Sequence, residues 1–462
     1  ALIFLIGPAA AVIATLIYAI PPVIRLTSHG VRDIPAGISE AVDSLGANRS
    51  QRMRTVVLPL ARRSIVVGIN QTTMSALSMA SGAALIAAPG LGQVVVQALQ
   101  SLNVGAAFNG GLAIVLMAIV LDRVTTAASE RADPQVRARR GEVNVKLRRI
   151  IAAVTLVIAV VAVYLSRTVL SLAVFPRELS IGPTIVSVVN TASDWVRTSM
   201  SVFTIAVKDG FTSLILNPLQ SLMTDSPFVV VVAFILLVAY IAGRVRTTLV
   251  SAICLLLIIL LGLWQDTLVT LVSTLVATVL TVLLGLVFGV WMGRSARVDA
   301  VIRPVLDAAQ TMPAFVYLVP FLGLFGPSRF TAIVAAVIYA APVAIKIIAE
   351  GIRGVPENTV EAAVSTGATP WQVITKVQGR MAKSSVTLAV NQGLIYVLAM
   401  VVIGGLVGGG GLGYAVVAGF VQGQLFGKGL AAGIAIVLLG ILLDAITQAA
   451  ARTRETTPLG QQ

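Results

Sequence analysis

The sequence is short of charged residues and of the residue types that most often carry out catalysis. Only 11% of its 462 residues are charged, whereas 57% are hydrophobic. A soluble protein needs more charge than this to cover its surface. Apolar runs near the length of a bilayer crossing recur along the chain. The composition therefore predicts a protein that crosses a membrane many times.

The chain contains one cysteine and one histidine. Cys254 lies inside an apolar run, so we interpret it as a packing residue, and a single cysteine excludes an intrachain disulfide. His29 has no cysteine or histidine partner, which argues against a metal site. The sequence also shows no Ser–His–Asp arrangement. We therefore expect no catalytic residues, no bound metal and no cofactor in this chain.

A phosphate-binding loop of the form G-x-x-x-x-G-K-[S/T] is also missing. The nearest stretch, residues 423–428, is one residue too short and lacks the following Ser or Thr. Any ATP chemistry must therefore belong to a partner protein.

Two charged islands interrupt the apolar runs, the first at residues 34–60 and the second at residues 354–381. In each island a proline suits the first turn of a helix, and a glycine suits its end because glycine adopts the left-handed conformation cheaply. A cap residue, Asn48 or Thr369, then precedes a glutamine at the capping-box spacing. Each island is predicted to fold as a helix, a glycine elbow and a second helix.

The islands belong to an internal repeat with an offset of 321 residues. Without gaps, 22 of the 72 residues in 21–92 are identical to their counterparts in 342–413. Both islands follow the pattern E-A-A, three residues, Gly, nine residues, an aliphatic residue, one residue, Leu-Pro. The first has Val42 at the third position, and in the second Gly379 and Arg380 replace Leu-Pro. The pattern and its neighbours include Glu40, Ala41, Gly46, Leu58 and Pro59, and then Glu361, Ala362, Ala363, Gly367, Pro370 and Trp371.

This pattern resembles the EAA loop of permeases in binding-protein-dependent ABC importers. In that family the loop carries a short coupling helix that docks into a groove on the ATPase. The competing interpretation is a solvated loop that only turns the chain between membrane helices. The occurrence of the pattern twice, at one repeat offset, favours the coupling loop. The resemblance then implies two ABC ATPase subunits as partners, which bind ATP and Mg.

The net charge of +14 is unevenly distributed. If the apolar runs are drawn as alternating crossings, 27 of the 33 lysines and arginines lie on the side that holds both islands. The loop 89–110, on the other side, has no charge. This is the asymmetry of the positive-inside rule, so we expect cytoplasmic islands and a basic balance that orients the chain in the bilayer rather than binding nucleic acid.

Several polar residues fall within apolar runs and are candidates for a translocation path. They are Asn70, Gln71, Asn391, Gln392, Asp307 and Gln310, with Pro313 as the residue that can kink its helix and free backbone groups. For the four amides the alternative is a hydrogen bond between helices. For Asp307 the alternative is a cap at the membrane boundary.

The run 304–325, Asn391–Gln392 and Gly411–Leu412–Gly413 are similar to permeases of glycine betaine/proline/choline ABC importers. The resemblance covers roughly residues 1–128 and 180–450. It implies a bacterial plasma-membrane permease for a compatible solute, which a separate extracytoplasmic binding protein delivers. Alternatives are a permease for another small solute, an ion-coupled secondary transporter, or a membrane scaffold or osmosensor. Aromatic residues make up 5% of the chain, and the sequence shows no recognisable aromatic cage.

The sequence thus predicts an all-α polytopic fold with about eleven transmembrane helices in two parallel repeats. We divide it into a first copy that is incomplete at its N-terminus (1–128), a basic cytoplasmic linker (129–149), an extra transmembrane helix with an extracytoplasmic amphipathic segment (150–226), and a complete second copy (227–462).

Overall fold

The structure is a computed structural model that describes residues 7–86, 88–132, 145–168 and 180–452. These residues form helices and connecting turns without any strand, which confirms the all-α prediction. The first part of the chain contains α1 (Pro8–Arg32), α2 (Ala36–Ser44), α3 (Arg49–Arg52), α4 (Leu58–Gly82), α5 (Leu91–Gln100), α6 (Val104–Ala132) and α7 (Val145–Thr168).

The second part begins with α8 (Gly182–Ser199), α9 (Ser201–Phe211) and α10 (Asn217–Thr224). It continues with α11 (Phe228–Leu260), α12 (Trp264–Arg294), α13 (Ala296–Thr311), α14 (Leu318–Phe325), α15 (Arg329–Arg353), α16 (Glu357–Ser365), α17 (Pro370–Gln372), α18 (Gly379–Met381), α19 (Lys383–Ile403), α20 (Gly411–Val421) and α21 (Phe426–Arg452). Short π-helical and 3₁₀ segments join several of these helices.

The chain forms two compact units. One comprises Ala1–Ala11, Ala80–Val115 and Val189–Gln462, and the other comprises Val12–Met79 and Leu116–Val188. The first unit thus holds the whole of the second repeat together with α5 and the first half of α6. The second unit holds the first island.

In the first unit α12 and α15 pack closely because α12 presents glycines at every fourth position. Cβ atoms built on Gly289 and Gly293 would lie 2.8 Å and 2.7 Å from the Cβ atoms of Ile348 and Ile352. A stripe of small residues lets two membrane helices approach each other in this way. The close approach holds α15, which leads into the second island, against a rigid neighbour.

Seven described helices are long and apolar enough to cross a membrane, and nine if each of two bent helix pairs counts as one crossing. The sequence predicted about eleven. The predicted crossings 227–243 and 248–264 both lie in α11, which consists of two helices that meet at a kink. Gly243 (φ −147°, ψ 19°) and Arg244 (φ +56°, ψ −151°) have non-helical backbone angles there, so the predicted break lies at the kink. The crossing predicted at 60–88 corresponds to α4, which contains arginines and side-chain amides among its apolar residues. The crossing predicted at 150–172 corresponds to α7, which runs from Val145 to Thr168; residues 169–172 lie outside the described residues.

Two predicted segments overlap helices of the structure. Within the predicted linker 129–149, α6 continues to Ala132 and α7 begins at Val145; residues 133–144 lie outside the described residues. Residues 180–226 of the predicted amphipathic segment form α8, α9 and α10, and the chain bends by 74° near Met200. Residues 169–179 also lie outside the described residues.

Candidate functional site

The second island folds around a glycine elbow. Helix α16 ends at Ser365, and Gly367 has a φ of +82°. Thr369 then caps α17 reciprocally, since its backbone N–H donates to Gln372 Oε1 at 2.9 Å and the Gln372 N–H donates to Thr369 Oγ1 at 3.3 Å. The predicted helix, elbow and capping box are therefore confirmed.

The first island repeats this geometry. Gly46 follows α2 with a φ of +78°. The Asn48 N–H donates to Gln51 Oε1 at 3.0 Å, and the Gln51 N–H donates to Asn48 Oδ1 at 2.8 Å. An ion pair of 2.6 Å between Arg52 and Asp43 ties the two helices of this island together. Two sequences with different cap residues thus build one shape.

Both islands present apolar side chains outward. Leu45 in the first island is 85% exposed, and Trp371 in the second is 72% exposed. Glu40 and Glu361 are exposed as well. A Cβ atom added at Gly46 or Gly367 would meet nothing within 4 Å. The elbow glycines are therefore required by their backbone angle and not by crowding. The exposed apolar residues leave each island with a surface suited to a protein partner.

The two islands differ at their exits. Each second helix continues into a π-helical segment, Met53–Val57 or Val373–Gln378, which the sequence pattern did not predict. In the first copy Leu58 and Pro59 then start α4 without a break. In the second copy the short helix α18 ends at Met381 and the chain bends at Ala382 before α19.

Asn391 joins two helices of the second copy. Its side-chain N–H₂ group donates to Asp444 Oδ1 at 2.8 Å and to Thr447 Oγ1 at 2.7 Å. The neighbouring Gln392 donates to Asn391 Oδ1 at 3.3 Å, and Gln448 donates to Asp444 Oδ2 at 2.8 Å. The amide thus links α19 to α21 in a polar cluster.

The first copy contains the same cluster. Asn70 on α4 donates to Asp122 Oδ1 and to Thr126 Oγ1 on α6, at 3.4 Å each. Thr125 Oγ1 donates to Asn70 Oδ1 at 2.5 Å. Gln71, by contrast, is exposed and does not join the cluster. Asp122 and Asp444 were missed by the sequence analysis, because nothing in the spacing connects them with asparagines more than fifty residues away.

Asp307 and Gln310 meet a cation on α15. Lys346 forms an ion pair with Asp307, and its Nζ donates to Gln310 Oε1 at 2.5 Å. Pro313 lies in the break where the chain turns by 114° between α13 and the stretch Ala314–Phe325, so the predicted kink is confirmed. The roles of these residues in translocation stay a prediction.

Three tyrosines next to this break form an aromatic cluster that the sequence did not reveal. The ring centroids of Tyr317 and Tyr339 are 5.4 Å apart, and those of Tyr339 and Tyr396 are 5.6 Å apart. Tyr317 is buried, and its hydroxyl donates to the Ala309 carbonyl. Because the tyrosines come from three separate segments, their sequence positions carry no signal that joins them.

Within the described residues, no group of three or more His, Cys, Asp or Glu side chains could hold a metal ion. Cys254 is a free, buried thiol. The features that the two copies share are the elbow islands and the Asn–Asp–Thr clusters.

Comparison with known proteins gives a family match. A model of the family described as "binding-protein-dependent transport system inner membrane component" matches residues 1–138 and 281–455. Each matched region contains one island.

Curated relatives extend this match. The trimethylamine N-oxide transport system permease protein of Pelagibacter ubique is 32% identical over 449 residues, which cover 96% of this chain and 62% of that protein. The glycine betaine/proline betaine transport system permease protein of Escherichia coli is 39% identical over 239 residues, which cover 52% of this chain and 67% of that protein. The chain thus spans less than two thirds of the first relative's length.

A solved structure is also similar. A chain of the MetNI methionine ABC transporter in an inward-facing conformation aligns with 41% of this chain and 95% of its own length, at 23% identity and a TM-score of 0.38.

Proposed function

We propose that this chain, which belongs to the family of binding-protein-dependent transport system inner membrane components, is the permease of an ATP-driven importer for a compatible solute such as glycine betaine, proline or choline. The names of relatives support glycine betaine and choline, and the trimethylamine N-oxide system of one relative adds an amine oxide. The seven apolar helices and the family's description make the chain a multi-pass protein of the bacterial inner membrane.

The duplicated elbow island is the observation that carries this proposal. Each copy contributes a short capped helix behind a left-handed glycine, with an exposed apolar side chain beside it. Two such islands in one chain suit two ABC ATPase subunits, one for each island. The ATPases would bind ATP and Mg, since the chain itself has no phosphate-binding loop.

The islands can transmit movement because they are directly connected to membrane helices. In the second copy α15 leads into α16, and α19 follows α18. Ion pairs from Arg303 to Glu350 and from Arg353 to Asp299 fasten the end of α15 to α13. When ATP closes the ATPase pair, a docked island would therefore move α15 and α13 together. Such rigid-body movement would switch a cavity between inward and outward access.

Delivery of the solute would fall to a separate extracytoplasmic binding protein. The described residues between the two copies form the helices α7, α8, α9 and α10, which make no two-lobed domain. The binding protein would then carry most of the selectivity.

The proposal is tested by uptake into proteoliposomes that contain the natural gene product, its ATPases and the binding protein. Radiolabelled glycine betaine and trimethylamine N-oxide should accumulate only with ATP inside and the binding protein outside. A matched control carries the ATPase with its catalytic glutamate replaced by glutamine. Accumulation driven by a sodium or proton gradient without ATP would instead identify a secondary transporter and overturn the proposal.

A further inference from the structure

Helices α5 and α20 occupy equivalent positions in the two repeats, and both lie in the first compact unit. Each follows a 3₁₀ turn of its own copy, Ala83–Ile86 or Gly404–Val407. The contacts between the copies are reciprocal, because α5 touches the turn Gly404–Val407 and α20 touches the turn Ala83–Ile86. The two short helices therefore meet as a pseudo-symmetric pair, at the end of the fold where the loop without charge lies.

A cavity of about 180 Å³ lies between this pair. One wall consists of Gln93, Gln97 and Gln100 of α5, whose spacing places them on one face of a helix. The opposite wall consists of Val417, Phe420 and Val421 of α20. The cavity thus has an amide side from the first copy and an apolar side from the second.

The amides of this wall have no hydrogen-bond partner of their own. Within the described part of the chain, no side-chain hydrogen bond is made by Gln93, Gln97 or Gln100. Gln93 is half-buried, and Gln97 and Gln100 are exposed, so their amides are accessible to water or to a polar solute. Each amide offers both a donor and an acceptor. The wall can therefore bind a carboxylate or an N-oxide oxygen with its N–H groups.

The polar wall is a property of one copy only. With the repeat offset of 321 residues, the counterparts of Gln93, Gln97 and Gln100 are Tyr414, Ala418 and Val421. No charged side chain lines the cavity. A solute with net charge would lose its hydration there without compensation. A net-neutral solute could place its oxygen on the amides and its methyl groups on the apolar wall, with Phe420 available to the methylated ammonium group of a zwitterion.

We propose that this amide-lined cavity is a passage site that selects for small, net-neutral, methylated solutes on their way through the permease, so that among the solutes named above it favours glycine betaine and trimethylamine N-oxide over the cation choline. The proposal rests on the transport function proposed above and deepens it, since it assigns a selecting role to the first copy of the permease itself. The cavity is distinct from Asn70, Asn391 and the other candidate path residues, none of which lines it.

The first test replaces both exposed amides, Gln97→Leu with Gln100→Leu. Loss of one hydrogen bond in the passage step should lower glycine betaine uptake about tenfold, while ATP hydrolysis stimulated by the binding protein persists. Gln424→Leu is the matched control, because Gln424 is an exposed glutamine near the same end of α20 but outside the cavity. Size-exclusion profiles show whether each variant is folded.

The second test follows the cavity directly and does not depend on the leucine variants. Replacing the single cysteine (Cys254→Ser) and introducing Gln97→Cys provides one thiol for a water-soluble methanethiosulfonate reagent. During ATP turnover with the binding protein, labelling should slow in the presence of glycine betaine but not with an equal concentration of choline chloride. A labelling rate that glycine betaine does not change, or that choline slows to the same extent, would overturn the inference.

The two proposals fail in different ways. If the wild-type complex takes up no solute with ATP, the transport function is wrong, and the passage site is wrong with it. If the wild type transports and the double leucine variant transports at the same rate as Gln424→Leu, only the passage site is wrong.

Discussion

Asn391 shows at the scale of one residue how a buried amide can join two membrane helices. Its two donated bonds reach a carboxylate and a hydroxyl on α21. Replacing it by leucine leaves the half-buried Asp444 with one donor fewer. We expect Asn391→Leu to destabilise the protein by about 1–3 kcal/mol, measured as a lower melting temperature in detergent.

Gln71→Leu is the control for this change, because Gln71 is an exposed amide on the equivalent helix of the first copy. It should leave the melting temperature within error of the wild type. Equal melting temperatures for Asn391→Leu and the wild type would show that the cluster contributes nothing to stability.

Gly289 shows the opposite requirement, a residue that must have no side chain. An added Cβ atom would lie 2.8 Å from the Ile348 Cβ and 2.9 Å from the Ile345 carbonyl oxygen. Gly289→Ala should therefore cost about 1–3 kcal/mol through overpacking between α12 and α15. Gly433→Ala, where an added Cβ meets nothing within 4 Å, should be neutral or slightly stabilising. The midpoints of thermal unfolding of both variants are measured in one detergent. Equal midpoints would refute the tight packing between α12 and α15.

Individual residues were predictable where the backbone decides their role. The left-handed angles of Gly46 and Gly367 followed from a helix that must end before a cap residue. The clusters around Asn70 and Asn391 were half predictable, since an amide in an apolar run indicates a buried partner. The hydrogen-bond partners of these asparagines could not be predicted. Hydrogen bonds between helices depend on how the helices pack, and the spacing of residues within one helix does not reveal this.

The elbow island is the element on which the coupling hypothesis depends. A β-branched residue resists the positive φ of Gly367, and strain of about 1–2 kcal/mol should reposition the coupling helix rather than unfold the bundle. Gly367→Val should therefore reach the membrane at normal abundance but retain less ATPase on purification and lose transport. Gly367→Asn is the matched control, since asparagine tolerates the left-handed region better than other residues.

The two islands need not respond equally. The first continues smoothly into α4 through Leu58 and Pro59, whereas the second is followed by a bend at Ala382. We expect Gly46→Val and Gly367→Val to reduce transport to different extents at matched expression. If both variants transport like the wild type, the coupling role of the islands is wrong.

Elements were predicted best where several local signals agreed. Proline, glycine, cap residue and glutamine all marked the same boundaries in the islands, and the structure confirms them. The π-helical segments after them carry no such signal. The sequence predicted a break at the central arginines of α11, and in the structure two helices meet there at a kink at Gly243 and Arg244. The ends of α6 and α7 extend into the charged linker because charged residues such as arginine and glutamate are good helix formers.

At the scale of the molecule, the distribution of charge predicts which side of the membrane each segment faces. In a Cys254→Ser background we expect Ser50→Cys in the first island to be labelled only from the cytoplasm. Val202→Cys, on a side chain that is 84% exposed, should be labelled from outside. An impermeant maleimide applied to intact cells and to inverted vesicles makes the comparison. Labelling of both positions in intact cells would contradict the orientation.

The central claim is that one chain supplies both halves of the permease and both ATPase docking sites. The most direct measurement is the native mass of the detergent-purified complex of the natural gene product with its ATPase. We expect one permease chain with two ATPase chains, because each chain carries two islands. A complex with two permease chains and two ATPase chains would contradict the claim.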